Sequence, residues 1–378
     1  MATWFSATAV IVQVAAAYDI APQNQGWITA AVQLGFVTGA IASSIVALPD
    51  AIDSRTLMRA GMFVAAIANL LLAFTHSVPL ALGLRFLTGA GLAIVYPPAV
   101  KLLSAWFARE RGLATGILIG ALTVGSFSPH LLSGAAVDWR AVIFGSSLLA
   151  LIGIPIISLL PPLPVRVLPT SFDFRAIPRL LKDRALILAD CGYWGHMWEL
   201  YAVWAWAPVF FAASLAASGS QSRAGPLVFL AFGLIGALGC VVAGILADRF
   251  GRAAVSAGAM ILSGTLSLSI GLTFGMAPWL VFTGLMLWGF SVIADSAQFS
   301  AAVTELADRA YVGTALTFQM AVGFLITLVT IWLIGAARLV LGWQHVFMLL
   351  AIGPALGAWS MLALRRRPEA VKMAHGRR

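Results

Sequence analysis

The sequence predicts an all-α membrane protein of twelve transmembrane helices, arranged as two pseudo-symmetric six-helix bundles. Three observations carry that prediction. Of 378 residues, 61% are hydrophobic and only 10% charged, and the mean hydropathy is +0.96; a soluble domain carries roughly 25% charged residues. Apolar runs of about 20 residues, the length that crosses a hydrocarbon core of roughly 30 Å, recur along the whole chain. The longest polar interval, PPLPVRVLPTSFDFRAIPRLLKDR, then divides these runs into six and six.

The first six spans are read at 3–19, 25–48, 57–75, 79–101, 112–134 and 140–160. The second six are read at 185–213, 225–246, 254–273, 278–299, 312–335 and 344–364. The organisation is therefore an N-terminal bundle over 1–160, a linker with a short surface helix over 161–184, a C-terminal bundle over 185–364 and a basic tail over 365–378. The first run ends at Asp19 after roughly 24 Å of helix, short for a bilayer. Trp4 and Phe5 have no polar flank before them, so the chain as given is expected to begin part-way into its first helix.

Charge sets the orientation. With the N-terminus inside, the inner loops and tail collect Arg55, Arg59, Lys101, Arg109, Arg111, Arg166, Arg249, Arg252, Arg309 and the cluster Arg365, Arg366 and Arg367. Outer loops keep Arg140, Arg223 and Arg338. The positive-inside rule then places both termini in the cytoplasm of a multi-pass cell-membrane protein, the inner membrane in a bacterium. The net charge of +9 is dispersed over these short loops, so no nucleic-acid partner is expected. Cys191 and Cys240 both fall inside spans, which argues against a disulfide framework or a metal site. No GxSxG, HExxH or GxxxxGK[ST] pattern occurs, and none of the three lysines precedes Ser or Thr. The chain is expected to be neither an enzyme nor an ATP-driven pump, and to carry no cofactor.

The loop between spans eight and nine reads GILADRFGR, from Gly244 to Arg252. With twelve spans in two sets, it resembles the signature cytoplasmic loop of the Major Facilitator Superfamily, G-x-L-A-D-R-x-G-R. The equivalent loop of the first half, VALPDAIDSR, keeps Asp50 but not the glycines. DWRAVIF before span six and GWQHVF before span twelve echo each other, and RFLTGAG in span four is similar to the family's R-x-x-x-G-x-G pattern. The resemblance implies a monomeric secondary transporter whose halves rock about a central site. Close helix packing is expected at Gly35 and Gly39, Gly116 and Gly120, and Gly236, Cys240 and Gly244. The family's antiporter motif has a Gly-Pro step in span five, where this chain has Ser128 before Pro129. A more distant resemblance is to nitrate/nitrite and cyanate porters.

Four charges fall within spans: Arg85, Asp190, Glu199 and Asp295. Family resemblance gives Asp295 a latch role with Arg249 or Arg252 of the GILADRFGR loop, beside Asp248 and the first-half Asp50. Asp190 is expected to snorkel toward Lys182 and Arg184. Arg85 shares a face with Tyr96 and is either an anion ligand or an interhelical hydrogen-bond donor. Thr123, Ser126 and His130 form a polar stripe on span five that suits Arg85 or a ligand equally.

Span seven, CGYWGHMWELYAVWAWAPVFF, is the least ordinary segment. His196 and Glu199 lie one turn apart on a face opposite Trp194, Trp198 and Tyr201. A charged side chain at mid-membrane costs about 3 kcal/mol on insertion scales, so this face must meet protein or a watery cavity. A carboxyl whose surroundings alternate between wet and dry can take up and release protons. Gln319 on span eleven, with Gly323, Thr327 and Thr330, is expected to line the same cavity. The residues thus predict a proton-linked secondary transporter of a small solute, an anion if Arg85 binds it. The alternative is a non-transporting sensor on the same fold.

Overall fold

The computed structural model describes residues 1–46, 48–107, 111–133, 138–161, 173–308 and 311–377. Arg109, Arg166, Arg309 and most of the linker lie outside the described residues, as do the side chains of Asp50 and Arg111. The described secondary structure is helical throughout, without strands. Among the described residues, ten helices are long and apolar enough to cross a membrane. One of them, Val312–Arg365, contains two spans that meet at Gly342, whose φ of 67° no helix tolerates. The first run adds two short pieces, Ala2–Phe5 and Ile11–Ala17, joined by a turn.

Local chemistry explains most boundaries. Asp53, Asp138 and Asp183 cap the helices that begin at Ser54, Trp139 and Arg184 by accepting backbone N–H bonds of the first turn. Pro79 and Pro278 stand in first turns, where a missing N–H costs nothing. Gly251, at φ 92°, turns the chain between spans eight and nine. Spans four and ten each break near their inner thirds. Span four runs Val78–Ala93 and Tyr96–Trp106; span ten runs Pro278–Ala294 and Ser296–Leu306. The matching breaks are what two related halves give.

The halves meet along two seams, span two against span eleven and span five against span eight. Small residues set the distance at the second seam: a Cβ on Gly116 falls 2.7 Å from the Cys240 carbonyl and one on Gly120 falls 3.2 Å from that of Ala237. Within the first half the contact is tighter. A Cβ on Gly35 falls 1.9 Å from the Phe86 carbonyl of span four, and one on Gly89 falls 1.9 Å from the Val32 carbonyl of span two. At the linker's end, Phe174–Ala176 and Ile177–Leu180 form short helices beneath span eleven, where the Asp173 N–H donates to Thr314 Oγ1 at 3.0 Å.

Candidate functional site

A small cavity of about 50 Å³ lies between the halves. Spans one, two, four and five contribute Trp4, Phe36, Tyr96, Ile119 and Leu122; spans seven, ten and eleven contribute Tyr193, Met197, Tyr201, Trp204, Ser296, Ser300 and Phe324. Five of its rings form a connected cluster: Trp4 lies 5.6 Å from Tyr201 and 5.7 Å from Phe324, Phe36 lies 4.6 Å from Phe324, and Tyr201 lies 5.6 Å from Trp204. Among the described residues no charged side chain lines it. Tyr96 is thus the one sequence-predicted site residue on the cavity wall, at the first turn after the break in span four.

The polar face of span seven turns the other way. Glu199 is 2% exposed and faces spans nine and ten of its own half. Its carboxylate accepts from Ser267 Oγ at 2.5 Å, Ser263 Oγ at 2.8 Å and the Trp288 indole at 2.9 Å. The expectation that it faces a cavity shared by the halves is therefore corrected. Burial is made tolerable by neutral donors on neighbouring helices rather than by water. The face of span seven that meets the other half carries Tyr193, Met197, Tyr201 and Trp204. Trp194 and Trp198 are partly buried, and their indoles donate to the carbonyls of Gln319 and Leu349.

His196 and Asp295 form a second buried couple, each 2% exposed, with Nδ1 and Oδ1 2.8 Å apart. Asp295 stands in the break of span ten, and its flanking residues Ile293 and Ser296 line the central cavity, as do Tyr193 and Met197 on either side of His196. Among the described residues neither Nε2 of His196 nor Oδ1 of Asp295 has a hydrogen-bond partner, so the couple is a close imidazole–carboxylate contact and not an aligned hydrogen bond. It is an ion pair only when the imidazole carries a second proton.

Asp295 does not reach the inner loop. The expected latch partner, Arg252, pairs with Glu305 through two bonds of 2.8 and 2.7 Å and donates to Gln298 Oε1 at 3.0 Å. The reason lies in the length of span ten. Its helix runs to Leu306, not 299, so Asp295 sits roughly 15 Å deeper than Glu305. Arg249 is exposed, and Asp248 offers its backbone carbonyl to the Arg377 guanidinium.

Asp190 also departs from expectation. It is 6% exposed and accepts from Gln319 Nε2 at 2.9 Å, which ties span seven to span eleven. Gln319 therefore does not line the cavity. Gly323 packs against the Tyr193 ring, and Thr327 and Thr330 bond to carbonyls of their own helix.

Arg85 is 1% exposed and has no acidic partner. Its guanidinium donates to the carbonyls of Thr3 at 2.9 Å, Trp4, and Ile28 at 3.3 Å, to Asn69 Oδ1 at 3.2 Å and to Ser6 Oγ at 3.4 Å. Thr3 and Trp4 end the first short helix, where carbonyls are left without helical partners and the dipole is negative. The cation closes that break. With Nε, Nη1 and Nη2 all engaged by protein, no fork remains for an anion. Thr123 and Ser126 bond to carbonyls one turn back in span five and do not reach it.

His130, the last residue of the polar stripe, lines a separate cavity of about 350 Å³ at the end of spans one, five, seven and eight opposite the Gly244–Arg252 loop. Several participants were not singled out from sequence: Ser263, Ser267, Asn69, Glu305 and the aromatic wall. Ser263 and Ser267 repeat at i, i+4 in an apolar helix, and Asn69 stands alone in AIANLLLAF; each was a readable signal of a polar partner inside the membrane.

This arrangement, two bundles meeting at a closed central cavity, agrees with relationships in sequence. A family model for the Major Facilitator Superfamily matches residues 1–325. The MFS transporter asaE of Aspergillus flavus is 27% identical over 285 residues, 72% of this chain and 62% of that protein. The 3-(3-hydroxy-phenyl)propionate transporter of Escherichia coli is 25% identical over 290 residues, 73% of this chain and 67% of that protein. The MFS-type transporter pynF of Aspergillus niger is 26% identical over 216 residues, 54% of this chain and 48% of that protein. The chain spans less than two thirds of the length of the two fungal relatives. Family match and helical architecture together establish that the chain belongs to the Major Facilitator Superfamily and is a multi-pass membrane protein.

Proposed function

We propose that the chain is a proton-linked secondary transporter of small aromatic solutes, working by alternating access, with both termini cytoplasmic. The observation that carries this reading is the central cavity, walled by rings from both halves and without a charged side chain. Such a wall favours a flat apolar body through stacking and area burial. A bare carboxylate would lose several kcal/mol of hydration there without a cation to replace it. An aromatic acid therefore crosses with a proton, and proton linkage and an uncharged cavity support each other. The Escherichia coli relative, named for an acid of this kind, favours the same substrate class.

The proton site in this reading is the His196–Asp295 couple, one residue behind the cavity wall. Asp295 lies at a helix break, where rotation of the inner segment of span ten would part it from His196. Glu199, held by three neutral donors, supports the same wall from behind.

The test is uptake of radiolabelled 3-phenylpropionate into proteoliposomes with an imposed pH gradient. Gradient-driven accumulation is expected. Asp295→Asn should lower that accumulation at least about tenfold, the effect of about 1.4 kcal/mol, while leaving solute counterflow intact. Equal gradient-driven accumulation by Asp295→Asn would remove the couple from coupling. Absence of any aromatic-solute flux in the wild type would remove the substrate class.

A further inference from the structure

The two cavities lie on one line. Span one places Trp4 on the central cavity and Thr8 on the outer one; span five places Leu122 and His130; span seven places Trp204 and Pro208. Between them stand four buried rings. Phe127 is 6.3 Å from Phe5, 5.1 Å from Trp204 and 5.4 Å from Phe232. Phe232 belongs to the π-helical turn Phe229–Leu234 of span eight, a local irregularity that often marks a functional position. The outer cavity's 350 Å³ is within the range that holds a small ligand, whereas the central one has room for a few waters.

His130 is the unusual member of the outer wall. It is 2% exposed, its ring lies 5.2 Å from Phe127, and neither ring nitrogen makes a hydrogen bond. The Phe127 carbonyl comes near one nitrogen at most, so at least one buried nitrogen has no partner among the described residues. A buried polar atom on a cavity wall is satisfied by what fills the cavity. Arg223 stands exposed at the rim and adds positive potential, while Val12, Pro208, Val209 and Val228 supply apolar walls.

We propose that this cavity is an outer binding site for small aromatic monocarboxylates, with His130 hydrogen-bonding the carboxylate, and that it is filled before the four-ring plug opens toward the central cavity. The site rests on the aromatic-solute reading above. It supplies an imidazole and a cationic rim that the central cavity's hydroxyls do not, so the acid is recognised as an acid at the outer cavity and by its ring in the central one.

The experiment is equilibrium binding of 3-phenylpropionate and of neutral 3-phenylpropan-1-ol to the purified full chain. His130→Ala should weaken the acid about tenfold or more, as loss of a hydrogen bond to a charged group does, and leave the alcohol within about twofold. His130→Gln, which keeps a donor and an acceptor, should restore most of the acid's affinity. Ala212→Trp, filling the mouth from an exposed position, should exclude the acid even if the His130 variants fold poorly. The proposal is overturned if His130→Ala and Ala212→Trp bind the acid like wild type, if the alcohol weakens equally, or if wild type binds neither compound. It is also overturned if decanoate binds at His130 ahead of 3-phenylpropionate, since the cavity is then a lipid groove. Uptake is measured alongside. Acid binding at His130 without transport sinks the transport reading and keeps the site; transport with His130-independent binding sinks the site and keeps the reading.

Discussion

Arg85→Ala separates a structural cation from a substrate ligand, because the two roles predict opposite outcomes. The guanidinium donates to five acceptors, but the loss is smaller than five bonds. Ser6 has one hydroxyl proton, which it can give to Thr3 O or to Asn69 Oδ1, at 3.1 and 2.6 Å, so one of the two also loses its donor. The Trp4 carbonyl, at the end of the first short helix, and the Ile28 carbonyl lose the guanidinium. Each buried acceptor left dry costs about 1–3 kcal/mol, and breaking a buried charged network typically costs about 3–5 kcal/mol. The two estimates converge on about 3–5 kcal/mol. At roughly 2–4 °C per kcal/mol for a large domain, the melting temperature should fall on the order of 10 °C.

Arg85→Lys offers three donors from one point and cannot span acceptors on spans one, two and three together, so it should recover only part of the loss. The assay is thermal unfolding of purified protein in detergent, with 3-phenylpropionate binding measured on the fraction that remains monodisperse at low temperature. Folded Arg85→Ala should bind with near-wild-type affinity. A variant that melts within about 2 °C of wild type but no longer binds the acid would refute the structural role and return Arg85 to the substrate site.

Three further outcomes follow from the same contacts. Glu199→Gln keeps an oxygen for Ser267 and Trp288 and turns an NH₂ toward Ser263, whose hydroxyl can accept. Its stability should therefore change by less than about 1 kcal/mol, whereas Glu199→Leu strands three donors and should cost about 2–4 kcal/mol; chemical or thermal unfolding of the pair tells them apart. Gly35→Ala drives a Cβ to 1.9 Å from the Phe86 carbonyl and should sharply reduce the yield of monodisperse protein, while Gly83→Ala, with nothing within 4 Å, should be neutral or slightly stabilising. Glu305→Gln removes the charge that holds Arg252 and weakens the acceptor of the Ala374 N–H at 3.0 Å. Its tail should be cleaved by trypsin at Arg365–Arg367 several-fold faster than wild type, and equal rates would show that the tail is held by other contacts.

Composition and period were enough for the helices, because hydrocarbon leaves the backbone no alternative to internal hydrogen bonds. The glycine contacts of spans two, five and eight were legible from the sequence: small residues at four-residue spacing mark backbones in close approach. Which way a polar face turns was not legible. Asp295 was assigned to the inner gate because span ten was ended at 299, and seven further helical residues bring Glu305 to Arg252 instead. Glu199 was given a watery cavity because its partners, two serines and an indole, are neutral and sit on helices distant in sequence. A pattern of charge finds charged partners; it does not find hydroxyls. The central cavity escaped notice for the converse reason, since its wall of rings has the composition of ordinary membrane helix.

The two halves, related in their breaks, have come to do different work. The buried acids bonded to other spans, Asp190, Glu199 and Asp295, all lie in the second half. The first half keeps one buried cation, neutralised by carbonyl ends and tied through Asn69 to Ser147 of span six at 2.9 Å. A cation held by five fixed acceptors makes the first half a poor place for a proton to come and go, because any movement there exposes the charge. The second half differs: His196 and Asp295 face each other at 2.8 Å, at a helix break next to the cavity, and the proposed coupling uses that pair. Transplanting the acid tests that asymmetry. Val95 stands at the first-half break, in the place Asp295 takes in the second. Val95→Asp combined with Asp295→Asn should fold yet remain uncoupled, since no imidazole stands ready to share the proton, and recovery of gradient-driven uptake in that double variant would show that the break alone, not the His196 couple, carries the coupling.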